Sequence, residues 1–244
     1  ALAHVQNEIL EKDDPMLYAA YQKAAGFAVN QVHSQISTGM YTNWDMIYAS
    51  VPTESSDLSK LPGYYDLLDF NADGVINSKD NVPYGFSTVP QNTYNFSIGA
   101  DYKGFSVMFQ LYGVTNVSYS GWLYLLEDQK DIVFDLAKDY WSKDNPNGSV
   151  FLPRWKTSGE NIGQFFVFDG SYLRLKTAEI AYTFDSNWIK KAGLSSLRMF
   201  LNGNNLLFWS KLPDDRESAA TGGGSADGAY PTVRRVNFGV DLTF

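Results

Sequence analysis

The stretch that decides the fold is RRVNFGVDLTF, residues 234–244. Val236, Phe238, Val240, Leu242 and Phe244 are apolar, and Arg235, Asn237, Gly239, Asp241 and Thr243 between them are small or polar. Side chains on a strand alternate faces, so this segment is a strand with one oily face and one wet face. A soluble sandwich buries one face of such a strand. A membrane β-barrel turns the apolar face to lipid and the polar face to its lumen, over about 9–11 residues. The neighbouring sequence decides between these two.

Other stretches repeat the pattern. TYNFSIGADY (93–102) puts Tyr94, Phe96, Ile98, Ala100 and Tyr102 on one side, and Lys103-Gly104 is a tight turn into FSVMFQLYG (105–113). SYLRLKTAEIAYTF (171–184) shifts its apolar phase between Leu173/Leu175 and Ile180/Tyr182/Phe184, which predicts a bulge near Thr177–Glu179. LRMFLNGNN (197–205) is a further strand, and GFAVNQVHSQIST (26–38) reads as the first. Residues 1–25 read as a helical or loose lead-in, and 26–244 as strands with long loops at 39–92, 114–169 and 206–232. Within the second loop, roughly 122–143, Ile132/Val133, Leu136/Ala137 and Tyr140/Trp141 recur at helical spacing and predict a short helix.

The connections alternate in length: long (39–92), tight (103–104), long (114–169), shorter (185–196), long (206–232). Outer-membrane barrels have short periplasmic turns and long extracellular loops, whereas a sandwich has no reason to sort its loops by end. Six strands do not close a barrel, because the smallest have about eight. An open sheet in lipid leaves backbone groups unpaired at its edges. The expectation is therefore an all-β piece of a larger barrel. The opening ALAHVQNEIL has no initiator Met or secretion signal, so the chain is either processed or a continuation of earlier sequence.

Composition narrows the function. The chain is 16% aromatic and carries net charge −8, which excludes disorder and disfavours nucleic acid as a partner. Absence of Cys excludes disulfides and thiolate metal sites. His4 and His33 sit in no triad or metal spacing, and no nucleophile motif exists, so an enzyme is not expected.

The sharpest chemical motif is Asp69-x-Asn71-x-Asp73-Gly74-Val75-Ile76-Asn77-x-x-Asp80. Its side-chain oxygens, with the Val75 carbonyl and Gly at the sharp turn, match a calcium loop of EF-hand type, Asp80 replacing the usual Glu. Calcium there would pin the 39–92 loop and not catalyse. The other readings are an acidic turn without metal and a dockerin module, the latter disfavoured because no second copy of the loop exists. Trp122, Tyr124, Trp141 and Trp155 in the second loop could stack on sugar rings, Trp122 and Tyr124 being the substrate-binding candidates; packing within the loop is the alternative. Tyr172, Trp188, Phe208 and Trp209 flank strand ends and fit an interfacial aromatic belt.

Several stretches, in order, resemble one family. DFNADGVINSKDNVPYG (69–85) followed by YKGFSV (102–107), YWSKDNPNGSVFLPRW (140–155), DGSYLRLKTAEIAYTF (169–184), LRMFLNGNNLLFWS (197–210) and YPTVRRVNFGVDLTF (230–244) are similar to the C-terminal region of SusC-like (SusC/RagA) TonB-dependent outer-membrane transporters. GFAVNQVHSQISTGMYTNWDMI (26–47) matches more loosely, and Asp214-Asp215-Arg216-Glu217 departs from the family's usual turn. The resemblance implies the C-terminal six or so antiparallel strands of a 22-stranded transmembrane β-barrel with long extracellular loops and a short loop helix. It implies import of oligosaccharides or peptides across the bacterial outer membrane. The partners it implies are a SusD-like surface lipoprotein as lid, the TonB complex through an N-terminal part outside this sequence, and the remaining barrel and plug segments. The alternative is a secreted, calcium-stabilised β-sandwich that binds glycans.

Overall fold

A computed structural model describes residues 1–54, 57–120, 126–127, 132–133, 139–148, 163–184, 189, 191, 193–212 and 232–244. Its strands, in chain order, are β1 (Leu2–His4), β2 (Gln31–Ser34), β3 (Ser37–Met40), β4 (Tyr65–Leu67), β5 (Val82–Ser87), β6 (Asn92–Tyr102) and β7 (Phe105–Thr115). They continue with β8 (Ser118–Ser120), β9 (Leu126–Glu127), β10 (Ile132–Val133), β11 (Val167–Asp169), β12 (Tyr172–Phe184), β13 (Ser196–Ser210) and β14 (Arg235–Thr243). One short helix, α1 (Trp44–Ala49), is capped by Asn43, whose side chain accepts the Met46 N–H.

Six strands form one sheet in the order β1-β6-β7-β12-β13-β14, with every neighbouring pair antiparallel. The turn between β6 and β7 has positive φ at both Lys103 and Gly104, the left-handed pair that matches strand twist in a two-residue hairpin. A side chain at Gly104 would meet the Thr183 carbonyl at 2.7 Å, so the turn also needs glycine for closeness to β12.

Register carries one apolar stripe across the whole sheet. Phe238 pairs with Leu201, Leu201 with Ile180, Ile180 with Val107, and Phe109 with Ile98. Against β7, the register of β12 slips between Leu175 and Thr177, so Lys176 is an extra residue. That bulge explains the phase change. Leu173 and Leu175 before it, and Ala178, Ile180 and Tyr182 after it, all pair with residues of the same β7 face. The observed bulge sits one residue before the predicted span.

The oily face is uncovered: Ile98 is 62% exposed and Phe238 64%, with Phe96, Phe109, Ile180, Leu201, Val240 and Leu242 also exposed. Soluble monomers rarely expose contiguous apolar patches beyond a few hundred Å². No second sheet among the described residues packs on this face, which favours the barrel expectation over the sandwich. The buried core lies at the loop end of the sheet instead. Val114, Val117 and Tyr172 are packed by Tyr112 and Phe208, and buried Arg174 lies over the Phe208 ring at 4.3 Å.

The two long loops interlock beside that core. Phe165 stacks on Tyr65 with ring centres 4.0 Å apart. Gln164 N–H donates to the Gln35 carbonyl at 3.0 Å, and Phe86 N–H to Ser118 Oγ at 2.7 Å. Strand β11 pairs with β8, β2 with β5, and β3 with β4.

Three expectations need correction. Residues 26–38 are not a strand of the main sheet; positive φ at Gly26 and Asn30 breaks the chain there, and only the short β2 and β3 follow, paired within the loop. The lead-in instead supplies β1, which pairs with β6 through Leu2↔Tyr94 to His4↔Asn92. The helix expected over roughly 122–143 is contradicted where residues are described: β9 and β10 there form an antiparallel pair. A short apolar pair such as Ile132-Val133 fits either period, and here its pairing with Leu126-Glu127 decides it.

Candidate functional site

The predicted calcium-loop residues Asp69, Asn71, Asp73, Val75, Asn77 and Asp80 form one tight turn. Gly74 takes φ +85, and Ile76 is buried behind the loop, bonded through its backbone to Pro52 and Glu54. Asp69 Oδ2 accepts the Gly74 N–H at 2.8 Å and its Oδ1 the Asp73 N–H at 3.2 Å. Asp73 Oδ1 accepts the Val75 N–H at 3.0 Å, and Asn77 Oδ1 the Lys79 N–H at 2.8 Å. Fully buried Asp80 accepts the Phe70 N–H at 2.9 Å, the Asn71 N–H at 3.4 Å and the Asn77 N–H at 2.8 Å.

The donor set is all hard oxygen, the kind calcium takes. The carboxylates, however, hold the loop's own amides, and no three acidic or His side chains among the described residues converge as a metal-holding group. The loop docks onto the lead-in, where Tyr21 Oη and Gln22 Nε2 donate to the Lys79 carbonyl. Burial pushes the Tyr21 hydroxyl above its ordinary pKa, and negative Asp80, Asp73 and Asp69 push it further.

Of the aromatic candidates, Trp122, Tyr124 and Trp155 lie outside the described residues. Trp141 is buried and presents no face for a sugar. Tyr172 and Phe208, expected in an interfacial belt, belong to the loop-end core, whereas Trp209 is exposed on the apolar face. Trp188 lies outside the described residues.

The opposite face of the sheet carries polar groups that only the register brings together. Arg198 on β13 donates through Nη1 to Asp241 Oδ2 on β14 at 3.1 Å, and through Nη2 to Glu179 Oε1 on β12. Asn202 Nδ2 donates to Glu179 Oε2 at 3.4 Å, and Asn237 Nδ2 to Asn202 Oδ1 at 2.9 Å. Arg198 also lies over the Phe200 ring, which in turn occupies the space above Gly239, where a Cβ would meet it at 2.2 Å. This wall is polar where the other is oily, the arrangement of a barrel lumen.

Replacing Arg198 by Met removes both charged bonds. The pair is partly exposed, so the expected loss is about 1–2 kcal/mol of sheet stability. It is read as a lowered urea midpoint, and Arg198→Lys should recover only part of it because an ammonium cannot fork between two acids as a guanidinium does.

No protein-family profile matches the chain. Two curated relatives do, both from Formosa agariphila. TonB-dependent receptor P26 is 28% identical over 191 residues, 72% of this chain and 19% of that protein. TonB-dependent receptor P3 is 28% identical over 195 residues, 75% of this chain and 19% of that protein. Among solved structures, the RagAB peptide transporter superposes with TM-score 0.66 at 17% identity, over 91% of this chain and 23% of that one. The RagAB peptide importer in its closed-closed state gives TM-score 0.63 at 17% identity, over 91% of this chain and 24% of that one. The chain is similar in sequence to TonB-dependent receptors and in fold to part of the RagAB structures. It spans about a fifth of the length of the curated relatives it matches. Its six-stranded antiparallel sheet matches a portion of the fold of those structures. The wall residues Glu179, Arg198 and Asp241 were missed from sequence because their nearness depends on register across three strands.

Proposed function

We propose that this chain forms the C-terminal part of the wall of an outer-membrane importer of oligosaccharides or peptides. The observation that carries this reading is the two-faced sheet: an uncovered apolar face of strands about 9–15 residues long backs onto a hydrogen-bonded polar wall. Such a sheet is stable in lipid once further strands pair its two edges, because every backbone group inside the bilayer must be paired. The long connections between β1 and β6, between β7 and β12 and between β13 and β14 lie outside the cell, a SusD-like lipoprotein covers them, and a TonB complex drives uptake through segments elsewhere in the protein. Peptide import by RagAB supports the peptide half of the substrate class. The test is fractionation and uptake with the full-length protein. It should extract from outer membranes only with detergent, and uptake of its substrate should cease without TonB. Recovery in a detergent-free soluble fraction contradicts the reading.

Calcium belongs to this proposal as a structural ion held by Asp69, Asn71, Asp73, Asn77, Asp80 and the Val75 carbonyl. Gly74's turn and the buried Ile76 support it. A chelator should speed proteolysis within 39–92, and Asp73→Ala should reproduce that effect with no further response to chelator. Cleavage that is unchanged by both treatments shows that the loop's own hydrogen bonds suffice.

A further inference from the structure

We propose that the segment 163–169 is a strap that fastens the first long connection (β1 to β6) to the second (β7 to β12), so that the two move over the sheet as one body. This rests on the importer reading, in which both connections frame the outer mouth of the barrel. A body of that kind passes on what it meets: a partner or substrate that orders one connection orders the other.

The strap belongs by sequence to the second connection and leads into β12. Its first half grips the first connection. Gln164 N–H donates to the Gln35 carbonyl at 3.0 Å, and Gln164 Nε2 to the Ser37 carbonyl at 3.5 Å. The Phe165 ring lies flat on Tyr65, with 4.0 Å between centres and 11° between planes. Gly163 takes φ +75, and a Cβ there would meet the Gln35 carbonyl oxygen at 3.1 Å, so this approach needs glycine. The second half is β11, which pairs with β8 through Val167↔Ser120, Phe168↔Tyr119 and Asp169↔Ser118. Ser118 closes the circuit, because its Oγ accepts the N–H of Phe86 on β5, back in the first connection, at 2.7 Å.

Backbone bonds and a stacked ring pair hold without the ordering of long charged side chains. The ion pair from Asp169 to Lys211, at the start of the third connection, is of the other kind. Its lysine side chain is 80% exposed at 3.2 Å, and such a pair contributes little. The fastened body is therefore limited to the first two connections. Within the first, Gln35 carries the grip further: its Nε2 donates to the Asn77 carbonyl at 3.0 Å, so the aspartate turn hangs on the same glutamine that the strap holds.

Hydrogen exchange on the full-length protein in detergent tests this, with the variants Phe165→Ala, Gly163→Ala and Phe165→Tyr. The first two should speed exchange together at 35–41, 64–68 and 76–81 in the first connection and at 118–120 in the second, each on the order of tenfold. Strands β7, β12 and β13 should stay protected. Phe165→Tyr keeps a ring on Tyr65 and should exchange like the parent. Faster exchange confined to 163–169, or to one connection alone, shows two independent loops and overturns the proposal. Exchange unmoved by Phe165→Ala and Gly163→Ala overturns it too, as does a Phe165→Tyr variant that opens as readily as Phe165→Ala. Loss of protection across β7, β12 and β13 would make the strap part of the wall and also defeat it. Recovery of the parent protein in a detergent-free soluble fraction would instead sink the importer reading and leave the exchange result standing.

Discussion

Ile98→Arg should destabilise the barrel by about 2–4 kcal/mol in a bilayer, the cost of an arginine at mid-depth on a lipid-facing strand. Ile98 lies midway along β6, opposite Phe109, and is already 62% exposed. In a soluble protein such a change would be neutral or would improve solubility, because nothing buries the isoleucine. The sign of the effect therefore reports which solvent meets this face. Asn95→Arg on the same strand points to the polar wall and should stay within about 0.5 kcal/mol of the parent. Urea-driven unfolding of the full-length protein in lipid vesicles measures both. Equal tolerance of the two arginines would contradict the assignment of faces.

Asp80→Ala should be the most damaging change in the loops. Its carboxylate is fully buried and accepts three backbone N–H groups, from Phe70, Asn71 and Asn77. Each buried donor left unpaired costs about 1–3 kcal/mol, so the turn loses on the order of 3–5 kcal/mol locally. The turn at 69–81 should open, and with it the docking of Tyr21 and Gln22 on the Lys79 carbonyl. The six-stranded sheet makes none of these bonds and should persist. Hydrogen exchange resolves the two regions: fast exchange at 69–81 with protected amides in β7, β12 and β13. Asp80→Asn keeps one acceptor oxygen but sets an NH₂ against an N–H, so it should recover less than half. Loss of protection across the sheet as well would show that loop and wall fold as one unit.

Much of the wall was legible in the sequence because alternation is a local signal. The β6–β7 hairpin needed only two alternating runs and Lys103-Gly104, and the β12 bulge showed itself as a phase change. What failed was short or non-local. Leu2–His4 has too few residues to show a period, and only its pairing with β6 makes it a strand. GFAVNQVHSQIST looked strand-like through its β-branched residues, yet left-handed turns at Gly26 and Asn30 fold it into the loop layer. The aspartate loop was legible as a turn, since Asp, Asn and Gly at fixed offsets are what such a turn requires. Its amide-holding role was not, because which oxygen meets which N–H is a matter of three-dimensional geometry. The strap at 163–169 meets Gln35, Tyr65 and Ser118, and no spacing in the sequence announces it.

The central claim is that the sheet has lipid on one side and water on the other. These 244 residues contain no cysteine, so single cysteines can be placed along 236–241 once any cysteine elsewhere in the full-length protein is replaced by serine. In the full-length protein in native membranes, cysteines at 236, 238 and 240 should be shielded from a charged maleimide and have nitroxide labels relaxed by lipid-dissolved oxygen. Those at 237, 239 and 241 should show the reverse. Reactivity that does not alternate, or that places 237, 239 and 241 in lipid, would contradict the account.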